Sequence, residues 1–267
     1  MQTDQRATDA WILPLSGRSH GISSGRIRLF CFPYAGGGAT AYRKWPAALA
    51  DEAEIFAIQP PGREERLADL AFTDLPRLLA ELVPLLLPYL DVPFAFFGHS
   101  MGALICAETA RTLHSAHGRT PSHLFVSGSQ SLQLAQDRSQ RYLLPDDELI
   151  DDIRDFNGTP EELLRHPEMM RLLLPLFRAD FSILGTYSYR PGPRLTCPIT
   201  VLAGDSDPFV DADGLRAWQD LTIAATDTEL FPGDHFYLHS SLAALLSVIS
   251  KRLRQLIVPP LGGHPLG

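Results

Sequence analysis

The sequence predicts an α/β chain: a doubly wound, mostly parallel sheet with a helical insertion lying over it as a lid. Three observations carry this. Short, nearly continuous apolar runs recur along the chain, as expected of strands buried on both faces of a parallel sheet. Helix-period segments fall between them. One interval of about seventy residues, from 129 to 197, breaks the rhythm, far beyond an ordinary connection, yet it has helical rather than linker character.

The elements follow in order. WILPLS, near the start, is a doubtful strand. IRLFCF (27–32), EIFAIQ (54–59), PFAFFG (93–98), HLFVSG (123–128), PITVLAG (198–204) and TELF (228–231) read as strands. After Met101, ALICAETARTLHSAHG keeps apolar residues at helical spacing and stops at Gly118, a residue suited to end a helix. A last helix, from about Ser240 to Ile257, sets Leu242, Leu245, Leu246, Ile249, Leu253 and Leu256 on one stripe.

Within the long interval, Thr159-Pro160-Glu161-Glu162 has the form of a capping box. Asp146 is placed to cap a helix carrying Leu149, Ile150, Ile153 and Phe156. MMRLLLPLFRADFSILGTY is a further helix, with a kink expected at Pro175. Ligands of open α/β sheets sit at the C-terminal strand edge, so the insertion reads as a lid over that edge. The expected layout is an N-terminal extension over 1–25, one α/β domain over 26–257 with the lid at about 130–195, and a loose Pro/Gly-rich tail over 258–267.

Composition narrows the class. The 267 residues carry a net charge of −8, and an acidic chain with no Lys/Arg run is a poor nucleic-acid binder. The start, MQTDQRATDAW, has no apolar core of the kind a signal peptide needs. No stretch approaches the ~20 apolar residues of a membrane span. Cys31, Cys106 and Cys197 are widely spaced with no CxxC, which suits a reducing cytoplasm. Each reads as a small buried hydrophobe.

The chemistry centres on G-x-S-x-G, which occurs twice. Gly17-Arg18-Ser19-His20-Gly21 leads into ISSG, which is no helix, and is a coincidental match. Gly98-His99-Ser100-Met101-Gly102 follows the strand FAFF and opens a helix, the context a nucleophile turn requires. Ser100 is the expected nucleophile, flanked by glycines because the turn is tight. The helix N-terminus directs partial positive charge at it.

A serine hydroxyl needs a base, and in this architecture the chain order is Ser, acid, His. Among nine histidines, His235 stands on a short turn, Pro232-Gly233-Asp234-His235, after the last strand. His239 is its rival. The base must be held by a carboxylate. Asp207 of Asp205-Ser206-Asp207-Pro208 is favoured at the end of PITVLAG, while Asp205 is nearer the strand and placed to take backbone amides of the turn. Donors for a developing oxyanion are expected at the N–H of Met101 and, in the loop Phe32-Pro33-Tyr34-Ala35-Gly36-Gly37-Gly38, at the N–H of Ala35, with Gly36 next in line. That loop has no Lys-Ser/Thr after it and no GxGxxG, so it is no nucleotide site; no cofactor or metal is expected.

FPYAGGGA with Trp45, then Gln59-Pro60-Pro61-Gly62-Arg63-Glu64, FGHSMGA, GDSDP and PGDHFYL together resemble the type II thioesterases of the α/β-hydrolase superfamily. These are the stand-alone editing enzymes of polyketide and non-ribosomal peptide synthesis. The resemblance runs from about Arg28 to Ile257. It implies hydrolysis of acyl thioesters on the phosphopantetheine arm of acyl or peptidyl carrier proteins, and by motif match it carries the triad to Ser100, Asp207 and His235 and the oxyanion donors to Ala35 and Met101. Spacing alone indicates a serine hydrolase of acyl groups; the thiol leaving group comes from the resemblance. A carrier is usually acidic, so docking would need a basic patch, for which Arg43, Lys44, Arg63 and Arg66 are the candidates. The alternative with the same triad is a carboxylesterase or lipase acting on free oxygen esters. A product-releasing synthase domain would normally be fused to its assembly line, and a non-catalytic receptor on this fold would tend to lose a triad member.

Overall fold

The structure is a computed structural model and describes residues 10–16, 26–134 and 140–257. The first G-x-S-x-G match, with Ser19, and the tail over 258–267 lie outside the described residues.

Each apolar run forms a strand, its ends shifted by at most two residues from expectation. They are β2 (Ile27–Phe32), β3 (Ala53–Ile58), β4 (Phe94–His99), β5 (His123–Ser127), β6 (Ile199–Gly204) and β7 (Thr226–Phe231). The doubtful segment WILPLS also contributes a strand, β1 (Ile12–Pro14), which pairs antiparallel with β3 at the sheet edge. It is too short for alternation to reveal, and pairing with β3 supplies what its own three residues cannot. The sheet order is β1-β3-β2-β4-β5-β6-β7, parallel from β3 to β7. Strand β7 departs from the doubly buried pattern. As an edge strand it leaves Asp227, Thr228 and Leu230 exposed.

Side chains alternate across the sheet and so divide the core. Phe30, Phe32, Phe96 and Val126 face one cluster, packed with α2 (Leu75–Leu86) and α3 (Met101–His117). Leu29, Cys31, Phe97 and Phe125 face the other, packed with α1 (Trp45–Leu49), α8 (Tyr237–Ser240) and α9 (Leu242–Leu256). Leu245, Leu246, Ile249 and Leu253 of the expected stripe are buried there. The three cysteines are free and buried. Burial pushes their thiols up, that of Cys197 to about 12, so none is a thiolate near neutral pH.

Between β5 and β6 lie the lid helices α4 (Asp146–Asp155), α5 (Glu161–Leu164) and α6 (Pro167–Thr186); α7 (Ala212–Arg216) follows β6. The lid has an apolar cluster of its own, with Leu149, Ile153, Leu164, Met170, Leu174, Phe177 and Phe181. Two expected caps are not made. Pro160 stands at the N-cap of α5 with no side-chain capping bond, and Thr159 lines a pocket instead. Asp146 is the first residue inside α4, behind Pro145, and its carboxylate pairs with Arg178 of α6. Standing inside the helix, Asp146 is not in the N-cap position, and its carboxylate is free to take the guanidinium of another helix. Helix α6 is one element across Pro175.

A buried histidine makes stability pH-dependent. His123 is buried, bonds Thr200 Oγ1 through Nε2 at 2.8 Å and stacks on Phe125. Burial, helped by Arg252 and opposed by Asp227, pushes its pKa from 6.5 down to about 4. The unfolded chain therefore takes up this proton first. The stabilisation is complete above the unfolded value and is lost as pH falls through the window between the two, by about 3 kcal/mol at most. Urea midpoints at pH 7 and pH 4.5 test it: His123→Gln should lose less stability between the two than the wild type. Equal losses would exclude His123 as the source.

Candidate active site

The strand–turn–helix at β4 and α3 holds Ser100 in an uncommon conformation, φ 53° and ψ −118°. A non-glycine residue there costs about 1–3 kcal/mol and persists only when its surroundings enforce it. The enforcement is visible. Ser100 N–H donates to Ser127 O of β5 at 2.8 Å. A Cβ on Gly98 would stand 2.1 Å from Gly102 O, and one on Gly102 would stand 2.1 Å from Phe32 O. Both glycines are therefore required by close backbone approach, and Ser100 is lifted to the wall of a cavity of about 590 Å³.

His235 lines the same cavity. It stands on the loop after β7, 2% exposed, with Nδ1 2.8 Å from Asp207 Oδ2. Asp207 stands on the loop after β6 and its other oxygen accepts Phe209 N–H at 2.9 Å. That arrangement fixes the proton on Nδ1 and leaves Nε2 as the acceptor. Nε2 is buried with no hydrogen-bond partner among the described residues. The rejected acids are occupied elsewhere. Asp205 accepts Gly233 N–H and Ser206 Oγ–H, and Asp234 accepts Phe236 N–H and the Asn157 amide. Among the described residues no carboxylate bonds His239; its Nε2 meets Tyr34 OH at 3.3 Å and its ring stacks on Phe236.

Ala35 lines the cavity beside Ser100. No group among the described residues accepts from the N–H of Ala35 or of Met101. The expectation that Gly36 is next in line as an oxyanion donor is corrected: its N–H is bonded to Asp180 Oδ2 of α6 at 2.7 Å. The remaining walls are mostly apolar and come largely from the lid, with Ile153, Phe156, Leu176, Phe177 and Phe181 among them. Phe156 and Phe209 pack against the His235 ring, which keeps water from it. Among the described residues no group of three or more His, Cys, Asp or Glu side chains is placed to hold a metal ion.

Comparison with known proteins decides the family. Residues 27–253 match the thioesterase domain model. The chain belongs to the thioesterase family. It is a hydrolase acting on thioesters. This thioesterase is 42% identical over 237 residues to the gramicidin S biosynthesis protein GrsT of Aneurinibacillus migulanus, covering 89% of this chain and 93% of that one. It is 35% identical to thioesterase PikA5 of Streptomyces venezuelae, covering 88% and 84%. Among solved structures it is similar to the type II thioesterase BorB of the borrelidin biosynthetic cluster, at TM-score 0.83 and 38% identity over 92% of this chain and 98% of that one.

Some of the thioesterase's site was not legible from motifs. His99 turns away from Ser100 as expected, but it is fully buried and bonded through Nδ1 to Ser127 Oγ at 2.8 Å, which in turn meets Tyr237 OH at 2.6 Å. Its ring lies 5.0 Å from that of His235. Burial, with His235 as the next cause, holds it well below the usual histidine range, so it stands beside His235 as a neutral group. Arg63 corrects a second expectation. It is not on the surface but 3% exposed, in a two-point contact with Asp180. Arg66 is also engaged, lying over Trp11 and bonded to Asp69. Arg43 and Lys44 are exposed. No described helix is long and apolar enough to cross a membrane.

Proposed function

We propose that this thioesterase clears acyl groups from the phosphopantetheine arm of carrier proteins in non-ribosomal peptide or polyketide assembly, as an editing enzyme of the cytoplasm. The observation that carries the reading is the buried His235–Asp207 pair beside a strained serine, in one lid-covered apolar cavity. The relatives from gramicidin S and borrelidin biosynthesis support the pathway class.

The reaction follows from the groups present. Ser100 Oγ attacks the thioester carbonyl as its proton passes to His235 Nε2. Asp207 stabilises the imidazolium. The N–H groups of Ala35 and Met101 receive the oxyanion, at the positive end of α3. The C–S bond breaks, the thiol leaves with the proton from Nε2, and an acyl-Ser100 remains. Water then attacks that ester, gives its proton to Nε2, and the acid departs as Ser100 recovers its hydrogen. The sum is thioester plus water to acid plus thiol, with no cofactor consumed.

An apolar chamber discriminates by only about 1–3 kcal/mol per methylene. Broad, slow hydrolysis of short acyl groups such as acetyl and propionyl is the expected behaviour. Contacts with the carrier add binding energy away from the reacting carbon. The test is kcat/KM for one acyl group on a carrier protein and on a short thiol. The carrier-bound form should be the better substrate, and Lys44→Glu or Arg43→Glu should lower that advantage without touching small-thiol hydrolysis. Parity between the supports, or preference for an oxygen ester of the same acid, would overturn the reading in favour of an esterase.

A further inference from the structure

Asp180 belongs to the lid, yet its carboxylate is spent on the loop that carries Ala35. It is fully buried. Oδ2 accepts Gly36 N–H at 2.7 Å and also Arg63 Nη1 at 3.0 Å, while Oδ1 accepts Arg63 Nη2 at 2.8 Å. Arg63 then donates from Nη1 to Gly37 O at 2.9 Å. The peptide groups on either side of Gly36-Gly37 are thus held by one ion pair. Phe177, one turn earlier on the same helix face, closes over the loop: a Cβ on Gly36 would stand 2.3 Å from its ring.

The loop needs such a hold. Gly36 has φ +75° and is followed by two more glycines, so the free segment has many conformations to lose. An oxyanion hole works only when its donors are already aimed. Burying an ion pair is costly, and apolar replacements of similar shape are often as stable or more so. Stability alone is therefore a weak reason for charge here, and orientation of the backbone is a better one.

We infer that Asp180 and Arg63 are positioning residues that aim the Ala35 N–H, so that the oxyanion hole is complete only while the lid helix is seated on the loop. The inference rests on the assignment of Ser100, His235 and Ala35 above. Lifting α6 would release Gly36 N–H and unpair Arg63, the donor to Gly37 O, and an open lid would be a slow one. The lid would then couple entry of the acyl group to the power to cleave it.

The experiment compares Asp180→Ala, Asp180→Asn and Arg63→Lys with the wild type on a short-thiol acyl thioester. A trifluoromethyl ketone with the same acyl chain, which places an oxyanion in the hole once it has added Ser100, is the second probe. Asp180→Ala should lower kcat by about 100-fold, the effect of one lost oxyanion donor. KM should stay within about threefold, and the ketone should weaken in proportion to kcat. Asp180→Asn keeps an acceptor for Gly36 N–H and should recover part of the loss. Arg63→Lys, which keeps charge but not the two-point contact, should fall between. A loss confined to KM, or wild-type kcat in Asp180→Asn and Arg63→Lys at unchanged Tm, would overturn the inference, and those two variants decide if Asp180→Ala does not fold. Ser100→Ala in the same assay separates the cases: turnover surviving in it would sink the assignment of the nucleophile instead.

Discussion

Ser100→Ala should remove turnover of every acyl thioester, lowering kcat by about 10⁶-fold and leaving the residual ~10³–10⁴-fold over water that binding and oxyanion donors supply. The size follows from the geometry. Ser100 is the hydroxyl that the β4–α3 turn lifts into the wall shared with His235, and without it the base has no proton to take. The variant should fold normally. Alanine bears the same Cβ at φ 53°, so it inherits the same backbone strain, and Ser100 N–H keeps its bond to Ser127 O. Its Tm should match the wild type, and label from a fluorophosphonate probe should vanish. Ser19→Ala, in the other G-x-S-x-G, should keep wild-type turnover and wild-type labelling. An inactive Ser19→Ala beside an active Ser100→Ala would sink the assignment.

Asp207→Asn should cost about 10⁴-fold in kcat at nearly unchanged stability. Asparagine can still accept Phe209 N–H through its carbonyl, as Asp207 Oδ1 does at 2.9 Å. It then presents an NH₂ to His235 Nδ1, where Asp207 Oδ2 now stands at 2.8 Å. Two donors cannot share that contact. The imidazole is forced to carry its proton on Nε2, the tautomer that cannot accept from serine. Asp205→Asn is the matched control. Its bonds to Gly233 N–H and Ser206 Oγ–H need only a carbonyl oxygen, so activity should stay within about tenfold and follow any change in Tm. Equal catalytic losses in the two variants, with unchanged melting, would remove the distinction between the carboxylates.

The strands, the nucleophile turn and the His235 loop were legible because each is written within a few consecutive residues. FAFF followed by G-x-S-x-G needs no distant partner to be read: the glycines are demanded by atoms of the same turn and of the adjoining β2 end. The contact of Asp207 with His235, and of Asp205 with the turn, was foreseeable for a similar reason, since the residue next to the strand is the one that closes the turn. Edge strand β1 was not, because three residues show no period, and pairing with β3 is what makes them a strand.

What the sequence determined by itself is therefore the α/β alternation, the chain order of the proposed residues Ser100, Asp207 and His235, and the apolar, helical character of the lid. Only the tertiary structure decided what Arg63 does. Its motif reads as a surface charge after a proline turn, and its partner Asp180 lies 117 residues further on. Gly36 was misjudged as a free donor for the same reason, its acceptor being 144 residues away. Periodicity and turn chemistry are properties of neighbours along the chain. A buried charge is set by whichever distant group folding brings within about 3 Å, where a bond must replace the water it loses.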